Sequence, residues 1–120
     1  MTRAIIVVAD DEPLNRFFLA TLFGYDGHDV VEAADGVEAL DLIRRVRPSL
    51  IVADIKMPGL DGYALLGHVR GDSSLCHTPF LFYTAHTELD AAKLHPHSVD
   101  GVLRKPSEPE AILATVRALL

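Results

Sequence analysis

The sequence predicts an α/β fold in which helices cover both faces of a parallel sheet. Short runs of β-branched and aromatic residues alternate with helical patterns of about 10 to 14 residues, which is typical of repeated βα units. The runs at 4–9, 49–54 and 79–84 are almost wholly apolar, as strands buried on both faces are. Because 120 residues suffice for one compact core, we expect residues 1–120 to form one domain.

Five strands and five helices account for the whole pattern. The predicted strands are 4–9, 28–33, 49–54, 79–84 and 99–104. The predicted helices are 13–23, a second that opens at 35–36 and stops before Pro48, 62–70, 88–94 and a fifth that opens with Ser107. Pro13 suits a first helical turn, where the missing amide has no partner in any case. Ser107, followed by Glu110 three residues later, predicts a capping box. We also expect a cis peptide bond between Lys105 and Pro106, where the chain turns back over the strand end.

Composition excludes several classes of function. The net charge of -6 gives no cluster of cations to displace counterions from a nucleic acid, so we expect no direct nucleic-acid binding. Cys76 is the single cysteine, which excludes an internal disulfide and a CxxC redox motif. Apolar runs are too short to span a bilayer. We therefore expect a cytoplasmic chain without membrane insertion.

Five polar side chains follow the strands of the predicted sheet. They are Asp10, Asp11, Asp54, Thr84 and Lys105. Parallel α/β sheets bind ligands beyond the carboxyl ends of their strands. Two carboxylates about 4 Å apart repel by roughly 4 kcal/mol at an effective dielectric constant of about 20, so the cluster should recruit a cation. Oxygen ligands of this kind suit Mg²⁺ or Mn²⁺.

The same set matches the needs of phosphoryl transfer, which are positioning and charge neutralisation. Asp54 can be the nucleophile, because a carboxylate can form an aspartyl phosphate. Asp11 would hold the metal, with Asp10 acting partly through water. Lys105 and the Thr84 hydroxyl would each contact a phosphoryl oxygen. Taken singly, each residue also has a structural explanation, such as capping of the first helix by Asp10 or Asp11; the joint arrangement favours the site.

Four motifs carry a resemblance to a known family. They are 7–13 (VVADDEP), 54–62 (DIKMPGLDG), 83–85 (YTA) and 104–106 (RKP). With them the whole chain resembles a response-regulator receiver domain. The resemblance implies a flavodoxin-like, doubly wound sheet of five parallel strands in the order 2-1-3-4-5 with five flanking helices.

The resemblance also implies a function in two-component phosphorelay signalling. The domain would take a phosphoryl group from a sensor histidine kinase or phosphotransfer protein and act as a switch, with slow autodephosphorylation, instead of as a turnover enzyme. Output would pass to an effector through helix 4, strand 5 and helix 5. The implied residues are Asp54 as phosphoacceptor, Asp10, Asp11, Asp54 and the backbone carbonyl of Lys56 as metal ligands, Thr84 as the switch hydroxyl, and Lys105 as the phosphoryl-binding lysine.

Three further positions are expected to modulate the site. Lys56 and His86 lie two residues after Asp54 and Thr84, where the family varies and the phosphoryl lifetime is set. A cation at Lys56 could shield the phosphoryl group and His86 could obstruct or orient a water, or both could point into solvent. Val102 replaces the usual aromatic residue. We therefore expect phosphorylation to order the loop 84–88 and shift helix 4, with little change on the face of helix 4, strand 5 and helix 5.

Other functions fit the sequence less well. A haloacid-dehalogenase-type phosphatase would need a second aspartate two residues after its nucleophile, where this chain has Lys56. A flavin or dinucleotide module would need a phosphate cradle after the first strand, where Asp10, Asp11 and Glu12 would repel phosphate. An inactive pseudo-receiver would be expected to lack one of the five site residues. Histidines near Cys76 and Pro96 are more simply explained as incidental loop residues than as metal ligands.

Overall fold

The computed structural model describes residues 3–86 and 88–120. Five parallel strands form one sheet in the order 2-1-3-4-5, so the predicted fold and strand order are confirmed. The predicted strands begin one or two residues too early, because a strand begins only where the backbone pairs with its neighbours. The strands are β1 (Ile5–Ala9), β2 (Asp29–Ala33), β3 (Leu50–Ala53), β4 (Phe80–Thr84) and β5 (Gly101–Arg104).

Each helix begins either at a side chain that caps its first amides or at a proline. Pro13 occupies the first turn of α1 as predicted. The Asp35 carboxylate caps α2 by accepting from the Glu38 amide at 2.8 Å, and Asp61 caps α3 in the same way. The helices are α1 (Pro13–Tyr25), α2 (Gly36–Val46), α3 (Gly62–Gly71), α4 (Ala91–Leu94) and α5 (Pro109–Leu119).

Two helix starts differ from their predictions. Helix α4 begins at Ala91 instead of residue 88, because the Asp90 carboxylate accepts from the next amides and fixes the start there. The predicted Ser107 capping box is wrong. The Ser107 hydroxyl donates to the carbonyl of Arg104, and Glu108 precedes a helix that starts on Pro109.

The cis peptide bond expected at Lys105–Pro106 is present. A second cis bond, His95–Pro96, was not predicted. Among the described residues, the structure has no helix whose length and apolarity would allow it to cross a bilayer.

Two hydrophobic clusters cover the two faces of the sheet, because alternate residues of each strand point to opposite faces. On one face α2 and α3 pack over the strands, and on the other α1 and α5 do. The cluster on the face covered by α1 and α5 centres on six fully buried residues: Ile6, Val8, Leu19, Phe23, Ile112 and Val116. Strands β1, β3 and β4 are buried on both faces, and their carboxyl ends form a common edge.

Candidate functional site

The two central strands bring two aspartates together. Ala9 of β1 pairs in register with Ala53 of β3, so Asp10 and Asp54 leave adjacent strands side by side. The Asp54 amide donates to the Ala9 carbonyl at 2.9 Å and fixes this spacing. Both side chains are buried, whereas the neighbouring Asp11 is exposed.

Carboxylate oxygens converge at this edge of the sheet. One oxygen from each of Asp10, Asp11, Glu12 and Asp54 lies within 4.8 Å of the others. The predicted acidic cluster is therefore present, with Glu12 as a further member. Hard oxygen donors of this type suit Mg²⁺ or Mn²⁺.

Lys105 reaches the cluster from the end of β5. Its Nζ donates to Asp10 Oδ2 at 2.6 Å and to Asp54 Oδ2 at 2.7 Å, and its side chain is only 10% exposed. The Lys105 amide donates to the Thr84 carbonyl at 2.8 Å, which carries the sheet pairing one residue past the strand. One ammonium group thus serves two buried carboxylates.

Burial and the contacts between Lys105 and the aspartates act in opposite directions on the pKa values of Asp10 and Lys105. Burial raises the pKa of Asp10 above its ordinary value, and the hydrogen bond from Lys105 offsets only part of the effect. Burial alone would lower the pKa of Lys105, but the hydrogen bonds and negative charges of Asp10 and Asp54 outweigh it and raise that pKa. Lys105 is therefore charged at neutral pH. The cluster keeps an excess of negative charge that a divalent cation would neutralise.

The other predicted residues lie around the mouth of the site. Thr84 is fully buried at the end of β4, and its Oγ1 accepts from the His86 amide at 3.2 Å. Lys56 and His86 are exposed side chains. A cavity of about 210 Å³ brings the two together with the acidic cluster; its lining is Asp11, Glu12, Asp54, Lys56, Ala85, His86 and Lys105.

Val102 lies apart from this cavity. It pairs with Phe82 in the β4–β5 ladder and is 38% exposed. The structure therefore places it on the sheet edge, two residues before Arg104, and not among the groups that converge on Asp54.

One residue that positions the site was missed as such. A Cβ atom on Gly62 would lie 2.5 Å from the Asp54 carbonyl oxygen, so only glycine lets α3 start this close to the acidic edge. The Gly62 amide donates to the Ile55 carbonyl at 2.7 Å. Its presence in the 54–62 motif was the available signal, but a motif alone does not reveal the contact.

The comparison with known families is decisive. Residues 6–117 match the model of the family described as "Response regulator receiver domain". The chain belongs to this family. The phosphatase, dinucleotide-binding and loop-histidine hypotheses receive no support from this match, and the predicted family and fold are confirmed.

Relatives and solved structures agree with this assignment. The chain is 36% identical over 121 residues to the "Probable transcriptional regulator ycf27" of Porphyridium aerugineum, covering 100% of this chain and 49% of the relative. It is 33% identical to the "DNA-binding response regulator MtrA" of Mycobacterium tuberculosis, covering 100% of this chain and 51% of the relative. The chemotaxis response regulator CheY4 of Vibrio cholerae superposes with a TM-score of 0.91 at 31% identity, covering 99% of this chain and 100% of that one.

The receiver domain spans about half the length of the curated relatives it matches. The name of MtrA qualifies the expectation of no direct nucleic-acid binding, because that relative as a whole is named a DNA-binding protein. For these 120 residues, the acidic net charge of -6 is what supports the expectation.

Proposed function

We propose that Asp54 accepts a phosphoryl group from a phosphohistidine of a partner kinase or phosphotransfer protein, with Mg²⁺ or Mn²⁺ as cofactor. The observation that carries the proposal is the convergence of Asp10, Asp54 and Lys105 at the carboxyl end of the sheet. There the Lys105 ammonium group lies 2.6 Å from an Asp10 oxygen and 2.7 Å from an Asp54 oxygen. Receiver domains are signalling switches of two-component systems, and this geometry supplies the groups that the chemistry needs.

Asp54 is the proposed nucleophile. One carboxylate oxygen attacks phosphorus, the bond between phosphorus and the imidazole nitrogen breaks, and its electron pair returns to the ring. Asp54 Oδ1 accepts from the Ile55 amide at 2.7 Å, and Oδ2 accepts from Lys105. These two hydrogen bonds hold the carboxylate in a fixed orientation before the donor arrives.

The metal ligands proposed are Asp10, Asp11, Asp54 and the backbone carbonyl of Lys56. Asp11 is exposed at the cavity mouth and free to turn inward, whereas Asp10 is held by the Glu12 amide and Lys105. A bound divalent ion would neutralise charge on the phosphoryl oxygens.

Lys105 and Thr84 are the proposed contacts to the other phosphoryl oxygens. Lys105 already touches the Asp54 oxygen, so a small displacement brings it onto a phosphoryl oxygen. The Thr84 hydroxyl now accepts from the His86 amide and would donate to the phosphoryl group after turning. Lys56 and His86 at the cavity mouth are the proposed modulators of phosphoryl lifetime, which we expect to be limited by slow hydrolysis and not by turnover of a substrate.

The switch is proposed to act through the segment between β4 and α4. Loss of the bond between Thr84 Oγ1 and the His86 amide would release this segment at one end. Its other end is tied to α3, because the Asp90 amide donates to the Tyr63 hydroxyl at 2.8 Å and Tyr63 packs edge-on against Phe82. Thr87, within the predicted switch loop 84–88, lies outside the described residues. Output to an effector would use α4, β5 and α5.

Intact-mass spectrometry tests the phosphoacceptor. Wild type incubated with acetyl phosphate and Mg²⁺ should gain the mass of one phosphoryl group, and excess EDTA should abolish the gain. Asp54→Asn should gain nothing. The matched control Asp41→Asn alters an exposed aspartate paired with Arg45 on α2 and should be modified as wild type is. Equal incorporation into wild type and Asp54→Asn would overturn the proposal.

Backbone NMR with and without beryllofluoride, a phosphoryl mimic, tests the switch. We expect the largest shifts in Thr84–Glu88 and at the start of α4, with smaller ones around Val102. Tyr63→Phe removes the hydroxyl that accepts from Asp90, and should enlarge the shifts of α4. Shifts centred on Val102 and α5, with the loop unchanged, would contradict this route of transmission.

A further inference from the structure

The outer face of α1 is apolar although it faces solvent. Leu14, Phe17, Phe18 and Tyr25 are 83, 68, 37 and 95% exposed, and they recur at spacings of three, four and seven residues, which places them on one side of the helix. The structure describes all residues of Pro13–Tyr25, and its exposed positions in this helix carry no charge. The one charged side chain of α1, Arg16, is half-buried and bonds to the Asp10 carbonyl.

This face is not needed to fold the domain. The opposite side of α1 supplies the core contacts through Leu19 and Phe23, both fully buried. Helix α2 shows how a solvent-facing side is usually built: its core contacts are likewise apolar, but its exposed positions are mostly charged, namely Glu38, Asp41, Arg44 and Arg45, with Val37 as the apolar exception.

The exposed apolar area is large for so small a domain. With about 150 to 250 Å² per whole aromatic side chain, Phe17, Phe18 and Tyr25 together expose roughly 300 to 500 Å². Monomeric proteins rarely expose contiguous apolar patches beyond a few hundred Å². Leu14 and the partly buried Leu22 and Leu113 extend the patch towards the roughly 600 Å² per partner at which stable interfaces begin.

We propose that this face is the interface of a homodimer, in which α1 packs antiparallel against α1 of a second copy. A groove of about 460 Å³ runs between α1 and α5; its lining is Phe17, Phe18, Thr21, Leu22, Tyr25, Asp26 and Leu113. A symmetric dimer places the same patch on both sides. The one charged residue of the groove lining, Asp26, is already paired with Arg117, so no complementary charge from the second copy is required.

The order of side chains along α1 suits a two-fold axis near its middle. A helix of 13 residues is about 20 Å long, and in an antiparallel pair its first turn meets the last turn of its partner. Leu14 then opposes Tyr25 of the second copy, and Phe18 opposes the small Thr21. Phe18 thus meets a small side chain near the axis, and the larger Leu14 and Tyr25 meet at the two ends of the interface. The dimer does not require Asp54 to be phosphorylated and is independent of the proposed function.

Sedimentation velocity of the 120-residue chain over a concentration series tests the dimer. CheY4, which the chain matches over its full length, shows that a receiver of this size folds alone. Wild type should dimerise in the micromolar range. Phe17→Glu should weaken the dimer at least about tenfold, as loss of a central aromatic contact does. Val37→Glu, the matched control that puts the same charge on exposed α2, should leave the dimer unchanged.

A charge-pair experiment tests the antiparallel arrangement. Leu14→Lys and Tyr25→Glu should each weaken the dimer, and the double variant should recover it, because lysine and glutamate then face each other across both halves of the interface. Thermal melts would confirm that every variant is folded. Wild type that stays monomeric at millimolar concentration, undiminished dimer in Phe17→Glu, or no recovery in the double variant would overturn the proposal.

Discussion

Charged side chains are paired differently at the two ends of the sheet. At the amino end, Arg3 pairs with Asp29 and Arg117 pairs with Asp26, each acid with its own arginine at the surface. At the carboxyl end, two buried carboxylates share the single ammonium group of Lys105.

The difference shows which charges the fold can do without. Ion pairs exposed to water contribute little to stability, so their residues can be replaced with little loss. Buried charges lose hydration, so a buried cluster with unbalanced charge weakens the fold. Such clusters occur mainly where a functional site requires them. The amino end therefore holds charges that pair locally at the surface, whereas the carboxyl end holds buried charges whose presence the proposed phosphoryl chemistry would explain.

The largest expected difference between the two ends follows removal of the cation. Lys105→Met leaves Asp10 and Asp54 buried without a cation beside them, and should lower the free energy of unfolding by about 3 to 5 kcal/mol in metal-free buffer. Urea unfolding measures it. Arg3→Met, at the exposed pair, should have a far smaller effect. Equal losses in the two variants would remove the distinction between the ends.

Added Mg²⁺ sharpens the comparison. A ligand that binds only the folded state at 100 times its dissociation constant stabilises it by about 2.7 kcal/mol, so saturating Mg²⁺ should raise the stability of wild type by an amount of this order. Asp11→Asn should lose most of this gain, whereas Asp29→Asn at the other end should keep it. Thermal melts with Mg²⁺ and with EDTA provide the measurement. A gain preserved in Asp11→Asn would remove Asp11 from the proposed ligands.

The smallest expected effect is a pH dependence at the amino end. The hydrogen bond from Arg117 holds the pKa of Asp26 below its ordinary value. A lowered folded-state pKa gives stability that is present above the ordinary value of about 3.9 and is lost as pH falls through the lowered one. The stability difference between wild type and Asp26→Asn should thus be constant near neutrality and shrink below about pH 4. Shrinkage that begins between pH 5 and 7 would contradict the assignment of this effect to Asp26.

The sequence predicted the carboxyl-end site well because the strands determine its geometry. Four of the site residues stand at the end of a predicted strand or directly after it, and parallel pairing brings those ends together; they are Asp10, Asp54, Thr84 and Lys105. The roles of the individual residues remain predictions. The start of α5 was harder to predict from the sequence. The Ser107 hydroxyl donates to the Arg104 carbonyl instead of capping the helix, and only the folded loop brings these two groups together.

The outer face of α1 could not be predicted from periodicity. Its sequence, PLNRFFLATLFGY, is apolar on nearly every side, so no stripe marks which residues enter the core. Phe23 is buried and Phe17 exposed only because α5 and the sheet occupy one side of the helix. Tertiary packing makes that choice.

The most direct test of the phosphoacceptor is to locate the acyl phosphate chemically. Borohydride reduces an aspartyl phosphate to homoserine, and peptide mass spectrometry of the phosphorylated and reduced chain identifies the residue. We predict homoserine at position 54, in samples phosphorylated with Mg²⁺ and in none treated with EDTA. Homoserine at position 10 or 11 with residue 54 unchanged, or phosphate retained on His86, would contradict the assignment of Asp54.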